Sequence, residues 1–449
     1  MCIVEIDLAA GCAREPELLA GSHLDLPKLG TTSDFYGIRV MGWALGLDSP
    51  VVAVEFVEGS HVIHRTGMNL PRPDVAAHLP DHPGAASCGF STVAGLLWVP
   101  VDFKISVQAI FPDGRREEFG RISGRRRPVR GSSPPRLQPL MITTLGRTGS
   151  TWVTHLLSQH PQIAAYRPFL FEPHVLSYWV EILRRIAAPG SALQSVFGAD
   201  FVRREWWLAP DPGALPDLGS LDPEIQECLG RASVQALADL CLARIDDFYT
   251  RAGRIQGKDA PAFFAEKQMP AASRDIALEL YPGAKEIILV RDPRDMTASI
   301  FAFNAKRNYA AFGRERFGTD EECIAGGLRP DALDLLGAWK RRGKQAFLLR
   351  YEDTITRPEQ TLAAVLTYLG LDAGAATIAR MIEQARAHIP EAVQHRTTSD
   401  PALSIGRWRT DLSHVQRAAC AQAFGEVLRE FGYEADENAL AAPEGVTAP

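Results

Sequence analysis

The chain has 449 residues, of which 46% are hydrophobic and 23% charged, and its formal net charge is −6. This acidic balance argues against a general nucleic-acid-binding protein, which needs a basic surface. Seven cysteines without a CxxC spacing argue against a disulfide scaffold or a zinc site and indicate a reducing cytoplasm. The first residues lack the basic and apolar regions of a signal peptide, and the chain contains no run of about 18 apolar residues that would predict a membrane span.

Residues 36–122 have the pattern of short antiparallel strands. The segments VVAVEFV and SHVIHRT flank a Glu-Gly turn at 58–59, and FKISVQAIF and REEFGRI flank a Pro-Asp-Gly turn at 112–114. Alternating β-branched and aromatic residues around such turns are hairpin signals. We therefore expect residues 1–123 to form a small all-β sandwich domain.

The next segment, GRRRPVRGSSPPR at 124–136, is rich in Arg, Pro and Ser. This composition is typical of an exposed linker between domains. Its run of arginines leaves a second interpretation open, which is a docking patch for an anionic partner.

From residue 137 onwards the pattern is that of an α/β domain. The apolar runs LQPLMITT, KEIILV and QAFLLRY are typical of buried parallel strands, and segments with helical spacing such as EQTLAAVLTYLGL separate them. We predict a P-loop-type parallel sheet flanked by helices over 137–435 and a flexible tail over 436–449. No oligomeric state is predicted.

The segment LGRTGSTW (145–152) follows the first of these strands and predicts an anion-binding loop. Its two glycines let the backbone turn tightly, and Ser150 or Thr151 can begin the next helix. The free N–H groups at the start of that helix, the hydroxyls and Arg147 suit an oxyanion. The alternative is a plain strand–turn–helix with an exposed arginine. Because the loop lacks the GxxxxGK[ST] order, an ordinary ATP or GTP hydrolase is disfavoured.

The segment RDPRDMTAS, which follows the strand KEIILV, predicts a second anion site. Asp292 and Pro293 are typical of a helix start, and Asp295 lies in the first turn, where the helix dipole favours an acid. Arg291 at the end of the strand and Ser299 on the helix are spaced to hold one anion together. The alternative is an arginine in a salt-bridge cluster at the helix start.

These two elements, in this order and separation, resemble the donor-binding elements of sulfotransferases that use 3′-phosphoadenosine 5′-phosphosulfate (PAPS). The motifs are nearest to those of bacterial, protein-tyrosine and carbohydrate sulfotransferases, and the resemblance covers residues 137–435. Three further segments resemble the family: FAEKQMP with Lys267, LLRYEDTITRPEQTLAAVLTYLGL with Tyr351, and LSIGRWRTDLS with Gly406, Arg407 and Trp408.

The resemblance implies a donor site in which Arg291 and Ser299 hold the 3′-phosphate and the Trp152 ring lies against the adenine. It implies adenosine 3′,5′-bisphosphate as the product and requires no metal. The donor-binding residues that it implies are Arg147, Thr148, Gly149, Ser150, Thr151, Trp152, Arg291, Ser299, Tyr351, Gly406, Arg407 and Trp408.

The resemblance also implies three catalytic residues. Arg147 stabilises the departing phosphate, Lys267 shares the developing negative charge, and Glu172 is the base for the acceptor hydroxyl, with His174 as the reserve base. A glutamate that merely caps a turn, and a surface salt bridge between Lys267 and Glu266, are the alternatives.

We expect the acceptor pocket in 166–210, with Trp179, Trp206 and Trp207, and in 301–328, which has the composition of a mobile lid. Packing in the core is the alternative for the tryptophans. The amino-terminal segments resemble a β-sandwich module found beside bacterial polysaccharide enzymes, which suggests a glycan, glycolipid or other glycoconjugate acceptor. Two other functions stay open, an ATP-dependent P-loop kinase of a small molecule and a non-catalytic glycan-binding protein.

Overall fold

The computed structural model describes residues 3–11, 17–59, 61–168, 171–187, 223–270, 273–386, 397–398 and 400–434. The predicted tail 436–449 and the tryptophans at 206 and 207 lie outside these ranges. The chain divides into two compact units. The first comprises Met1–Pro134, Ser177–Arg244 and Ala272–Leu280, and the second comprises Pro135–Leu176, Ile245–Ala271 and Tyr281–Pro449.

The strands follow one another along the described chain in two groups, nine before residue 127 and five after it. They are β1 (Val4–Gly11), β2 (Leu19–Leu26), β3 (Thr32–Ser33), β4 (Gly37–Gly46), β5 (Ala53–Glu58), β6 (His61–Gly67), β7 (Gly89–Gly95), β8 (Asp102–Ile110), β9 (Arg116–Arg126), β10 (Gln138–Thr143), β11 (Ile163–Ala165), β12 (Phe263–Gln268), β13 (Lys285–Val290) and β14 (Ala346–Arg350).

The α-helices lie mostly after β10, and none in the described ranges is long and apolar enough to cross a membrane. They are α1 (Pro73–His78), α2 (Ser150–Leu157), α3 (Val175–Ile186), α4 (Pro223–Glu227), α5 (Ser233–Ile255), α6 (Ser273–Leu280), α7 (Pro293–Arg307), α8 (Asp320–Cys323), α9 (Arg329–Arg342), α10 (Tyr351–Thr356), α11 (Pro358–Leu369), α12 (Ala375–Ala385), α13 (Trp408–Asp411) and α14 (His414–Glu430).

The first unit contains two antiparallel sheets. One has six strands in the order β3-β1-β9-β8-β5-β6, and the other has three in the order β2-β4-β7. Both predicted hairpins form, as β5–β6 and as β8–β9. Alternate residues of β8, among them Phe103, Ile105 and Val107, are buried, as expected for a strand with one face on the core. The predicted amino-terminal all-β architecture is therefore present.

The end of this β region differs from the sequence prediction. β9 continues to Arg126, so the strand overlaps the predicted linker 124–136. The Arg126 side chain is buried, donates to the Val99 carbonyl and pairs with Glu279 at 2.5 Å. The composition of this segment predicts exposure, and the burial of Arg126 has no local signal because its carboxylate partner lies 153 residues later in the chain. The described residues 177–187 and 223–244, which the sequence places in the α/β domain, fall in the first unit.

The second unit is built on a five-stranded parallel sheet in the order β11-β12-β10-β13-β14. Both faces of the sheet are covered by apolar side chains. In β13, Ile287 and Leu289 belong to one core cluster, whereas Ile288 and Val290 belong to another. This alternation is what a strand buried on both faces requires. The predicted α/β fold with a parallel sheet is confirmed.

The predicted runs LQPLMITT, KEIILV and QAFLLRY form β10, β13 and β14. Because the carboxyl ends of parallel strands meet at one edge of a sheet, the residues that follow these strands lie close together. The loop 144–149 follows β10, Arg291 follows β13 and Tyr351 follows β14. This edge carries the candidate site.

Candidate active site

The loop 144–149 has a conformation that selects glycine at its last position. α2 begins at Ser150, as predicted, and Gly149 is its N-cap residue with φ +86°. A Cβ atom at Gly149 would lie 2.3 Å from Cδ2 of Tyr351, so the aromatic ring packs directly against the loop. Arg147 also has a positive φ, +65°. Such backbone conformations in a non-glycine residue are typical of functional loops.

The Thr148 hydroxyl acts within this loop. It is buried, donates to the Leu145 carbonyl at 2.8 Å and lies 2.5 Å from the Thr144 hydroxyl, which in turn donates to the Leu289 carbonyl of β13. The predicted donor-binding residue Thr148 therefore uses its side chain to fasten the loop to the sheet.

The structure brings Arg147, Arg291 and Ser299 together, although they come from different elements. Nε of Arg147 donates to the Ser299 hydroxyl of α7 at 3.2 Å. Nη1 of Arg291 donates to the Arg147 carbonyl at 2.9 Å, and Nη2 donates to the Ser404 carbonyl at 2.6 Å. The two predicted anion elements are thus joined by direct hydrogen bonds.

Positive charge accumulates at this point. Burial, followed by the nearby guanidinium groups of Arg291, Arg407 and Arg307, lowers the pKa of Arg147 to about 10. We call Arg147, Arg291, Arg307 and Arg407 the guanidinium cluster. Like charges gathered in a partly buried place favour the binding of an anion among them.

Arg291 has a buried donor that is available to such an anion. Its two described hydrogen bonds use Nη1 and Nη2, whereas its Nε is buried and has no hydrogen-bond partner in the described part of the chain. The guanidinium lies 5.0 Å from the centre of the Tyr351 ring, which holds it in place. Buried polar groups are normally satisfied. This N–H can therefore donate to an anion that binds beside the neighbouring guanidinium groups.

The segment Gly406–Trp408 contributes Arg407 to the cluster. Arg407 donates to the Thr397 hydroxyl at 2.7 Å and to the Asp411 carboxylate at 2.7 Å. Trp408, by contrast, is buried in the core beside α7 and α14. Of the three predicted donor-binding residues in this segment, Arg407 is the one whose side chain reaches the cluster.

The two other predicted catalytic residues, Lys267 and Glu172, form an ion pair. Nζ of Lys267 lies 2.7 Å from Oε1 of Glu172 and 3.1 Å from the Thr151 hydroxyl at the start of α2. Burial lowers the pKa of the Lys267 ammonium, and its hydrogen bond and charge pairing with Glu172 oppose that effect. The alternative of a surface salt bridge between Lys267 and Glu266 is wrong, because Lys267 is buried and pairs with Glu172 instead.

The segment 171–176, which carries Glu172, has an unusual backbone. Phe171 and His174 adopt positive φ values of +61° and +50°. Its far end is fixed by Glu266, which accepts hydrogen bonds from the Leu176 N–H of α3 and from the Tyr249 hydroxyl. Two consecutive residues of β12, Glu266 and Lys267, thus hold this segment at both ends. A strained segment held in this way is common at functional sites.

Two aromatic residues of the predicted lid, 301–328, lie beside the loop 144–149 and were not singled out from the sequence. The Phe303 ring lies 4.7 Å from the Arg147 guanidinium carbon and 4.6 Å from that of Arg307. The Phe312 ring lies 2.7 Å from the position of a Cβ atom at Gly146. The position of Phe303 four residues after Ser299, one helical turn, could have indicated that its ring shares a face with the hydroxyl.

The structure places the predicted tryptophans Trp152 and Trp179 in different parts of the protein. Trp152 is partly buried against the core on α2, and its indole N–H is buried without a hydrogen-bond partner in the described chain. Trp179 lies on α3 in the first unit. Within the described residues, no group of three or more His, Cys, Asp or Glu side chains could hold a metal ion.

Comparison with known proteins gives one family. The model of the Sulfotransferase family matches residues 139–374. The nodulation protein NoeE of Sinorhizobium fredii is 26% identical over 315 residues, and the match spans 66% of this chain and 66% of that protein, just under two thirds of its length.

Two solved structures are similar at low identity. The sulfotransferase domain from the Synechococcus PCC 7002 olefin synthase is 21% identical, with coverage of 69% of this chain and 99% of that chain and a TM-score of 0.40. Mouse sulfotransferase SULT7A1 complexed with PAP is 14% identical, with coverage of 66% and 86% and a TM-score of 0.35.

Proposed function

Since this chain belongs to the sulfotransferase family, whose model matches more than half of it, we propose that it moves a sulfuryl group from PAPS to an acceptor hydroxyl. The observation that carries this proposal is the guanidinium cluster at the carboxyl edge of the parallel sheet. Arg147 and Arg291 follow separate strands, β10 and β13. The Arg291 guanidinium donates to the Arg147 carbonyl and lies close enough to the Arg147 guanidinium to help lower its pKa. Two converging cationic groups suit a donor with phosphates at both ends of its ribose.

Arg147, the N–H groups at the start of α2 and the Thr151 hydroxyl bind the phosphosulfate end of the donor. Arg291, Ser299 and Arg407 bind the 3′-phosphate. The lowered pKa of Arg147 supports this assignment, because it results from burial and then from the neighbouring guanidinium groups, and a bound anion would relieve that repulsion. The buried Nε of Arg291 supports the assignment of the 3′-phosphate, because its N–H has no hydrogen-bond partner in the described part of the chain and can donate to that phosphate.

The remaining donor-site residues act through the polypeptide or through ring contacts. Trp152 contacts the adenine, as the family resemblance implies, and Ser150 adds a hydroxyl at the start of α2. The ring of Tyr351 supports both Gly149 and Arg291. Thr148, Gly406 and Trp408 position the loop and the segment that carry the arginines, because their described contacts lie within the protein.

Bound PAPS supplies the sulfuryl group and its phosphate leaving group. Glu172 accepts the proton of the acceptor hydroxyl, since its carboxylate is 38% exposed and therefore open to a substrate. Lys267 holds that carboxylate and reaches Thr151 at the same time. Its positive charge and that of Arg147 stabilise the negative charge that develops during in-line transfer.

We further propose that the acceptor is a carbohydrate or a glycoconjugate. Support for this class comes from the antiparallel sheets of the first unit, whose sequence resembles modules found beside polysaccharide enzymes. Phe312 of the segment 301–328 is exposed beside the loop 144–149 and offers an apolar face to a sugar ring.

The proposal is tested by incubating the full chain with PAPS labelled in the sulfuryl group and with separate panels of oligosaccharides, glycolipids, phenols and proteins. We expect label in the oligosaccharide or the glycolipid panel, together with release of adenosine 3′,5′-bisphosphate in equal amount. Label in the phenol or the protein panel alone would retain the activity and overturn the acceptor class. Phosphate transfer from labelled ATP, with no sulfuryl transfer to any panel, would identify a kinase and contradict the proposal. Binding of oligosaccharides without transfer of either group would identify a glycan-binding protein.

A further inference from the structure

Asp295 is a buried acid whose hydrogen bonds leave its own helix. It lies in the first turn of α7, where an acid is ordinarily explained by the helix dipole. Its carboxylate, however, accepts the Gly406 N–H at 2.7 Å through Oδ2 and the Trp408 N–H at 3.0 Å through Oδ1. The side chain is 1% exposed. One carboxylate therefore binds two backbone donors that lie more than a hundred residues further along the chain.

The two donors flank Arg407, and their surroundings leave them little freedom. Gly406 has φ +74°, and a Cβ atom there would lie 2.9 Å from Nη1 of Arg409. The Trp408 ring is buried, with the guanidinium carbon of Arg294 4.1 Å from its centre and that of Arg409 at 4.5 Å. Both backbone neighbours of Arg407 are thus held by the same acid and by close packing.

Arg407 projects from this fixed segment into the guanidinium cluster. It donates to the Thr397 hydroxyl, which lies 3.4 Å from the Ser299 hydroxyl. It is also close enough to Arg147 to lower the pKa of that residue. A chain of contacts therefore runs from Asp295 through the backbone at 406–408 to the part of the site that we assign to the 3′-phosphate.

We infer that Asp295 is a positioning residue for 3′-phosphate recognition: its carboxylate fixes the backbone on both sides of Arg407 and so directs the guanidinium to that phosphate. This inference rests on the proposed function, because it takes the 3′-phosphate as the ligand of Arg407. It assigns Asp295 a role in choosing between nucleotides with and without that group.

The ionisation of Asp295 gives a second way to test this role. The pKa of Asp295 is raised to about 6 in total. Burial is the largest cause, the two accepted N–H bonds oppose it, and the charges of Asp292 and Arg291 raise and lower it, respectively. Above that pH the carboxylate accepts both N–H bonds, whereas the protonated acid has lost one acceptor oxygen to its own proton. Cys420 of α14, which packs on the same helix, interacts with Thr297 and Asp292. We therefore attribute the pH dependence of binding to the titration of Asp295 and to the charged groups beside it at the start of α7.

The experiment compares adenosine 3′,5′-bisphosphate with adenosine 5′-monophosphate, which lacks the 3′-phosphate, by calorimetric titration of the wild-type chain and of Asp295→Asn at pH 7.5. We expect the variant to bind the bisphosphate about tenfold more weakly, as the loss of one charge-assisted hydrogen bond predicts, and the monophosphate with little change. Asp331→Asn, which alters another first-turn acid with a raised pKa, on α9, is the matched control and should change neither affinity.

The inference is overturned if Asp295→Asn, shown to be folded by its thermal unfolding, prefers the bisphosphate over the monophosphate as strongly as the wild type does. If the wild type itself shows no such preference, the proposed function is overturned instead. If Asp295→Asn does not fold, the pH arm decides with the wild type and Asp295→Glu. The phosphates of the ligand also titrate near pH 6, so the ratio of wild-type to variant affinity is the informative quantity. It should fall as the pH is lowered from 7.5 to 5, and a constant ratio would overturn the inference.

Discussion

Replacing Arg291 by alanine is expected to weaken the binding of adenosine 3′,5′-bisphosphate by roughly 30- to 3,000-fold. This range corresponds to about 2–5 kcal/mol for the loss of one partner of a buried, hydrogen-bonded charge pair. Arg291 has a buried N–H to offer to a phosphate and also holds the Arg147 and Ser404 carbonyls. Calorimetric titration of the variant, with the monophosphate as the second ligand, measures the effect.

A stability control is needed because Arg291 makes two buried hydrogen bonds to the backbone. Arg342→Ala is the matched control, since Arg342 pairs with Glu286 near the opposite end of the same strand β13 and its side chain is only 18% exposed. We expect this variant to lose thermal stability and to keep the affinity for the bisphosphate. If Arg291→Ala and Arg342→Ala lower the affinity equally, the effect is one of stability and Arg291 does not bind the 3′-phosphate.

Replacing Glu172 by glutamine is expected to lower kcat for sulfuryl transfer by roughly 10²- to 10⁴-fold, which is the usual contribution of a general base. The affinity for adenosine 3′,5′-bisphosphate should change little, because Glu172 faces the acceptor in our proposal. Rates with the acceptor that the panel experiment identifies, measured at saturating donor, provide the test. His174→Asn is the control for the reserve base, since this residue lies two positions away in the same segment.

The role of Glu172 can also be tested through its ion pair with Lys267. Lys267→Met should lower kcat by roughly 10²- to 10³-fold, as expected when a positioned positive charge is removed. Because the two side chains are 2.7 Å apart, we expect the double variant to lose less than the product of the two single effects. A normal kcat in Glu172→Gln, with a large loss in His174→Asn, would reassign the base to His174.

The local parts of the site could be predicted from the sequence because they depend on short-range rules. A strand, a glycine turn and a hydroxyl at a helix start specify the loop at 145–152. Asp292 and Pro293 mark the start of α7, and the structure confirms that Asp292 caps it by accepting the Arg294 N–H. The convergence of Arg291 and Arg147 was expected from the resemblance, since β10 and β13 are neighbours only in the folded sheet.

Other contacts of the site could not be predicted, because they join residues that are distant in the chain. Lys267 has an acid beside it in sequence, yet its partner is Glu172, 95 residues away. Strand alternation explains this result, since Glu266 and Lys267 point to opposite sides of β12. Asp295 was interpreted as a helix-dipole acid, and its bonds to Gly406 and Trp408 had no local signal.

The fold was predictable where a segment is uniformly apolar and less so elsewhere. β10, β13 and β14 have apolar runs, whereas β12, with the sequence FFAEKQ, buries a glutamate and a lysine and was not predicted as a strand. β11 has three residues and gives no periodic signal. The linker-like composition after residue 123 predicts an early end for β9, whereas the strand continues to Arg126, whose ion pair with Glu279 no local pattern indicates.

The central claim is that the guanidinium cluster recognises a nucleotide by its 3′-phosphate, and titration of the wild-type chain with three nucleotides tests it most directly. We predict that adenosine 3′,5′-bisphosphate binds at least about tenfold more tightly than adenosine 5′-monophosphate, as one charge-assisted phosphate contact implies. ATP should bind no better than the monophosphate. Tighter binding of ATP than of the bisphosphate, or equal affinity for the bisphosphate and the monophosphate, would contradict the account.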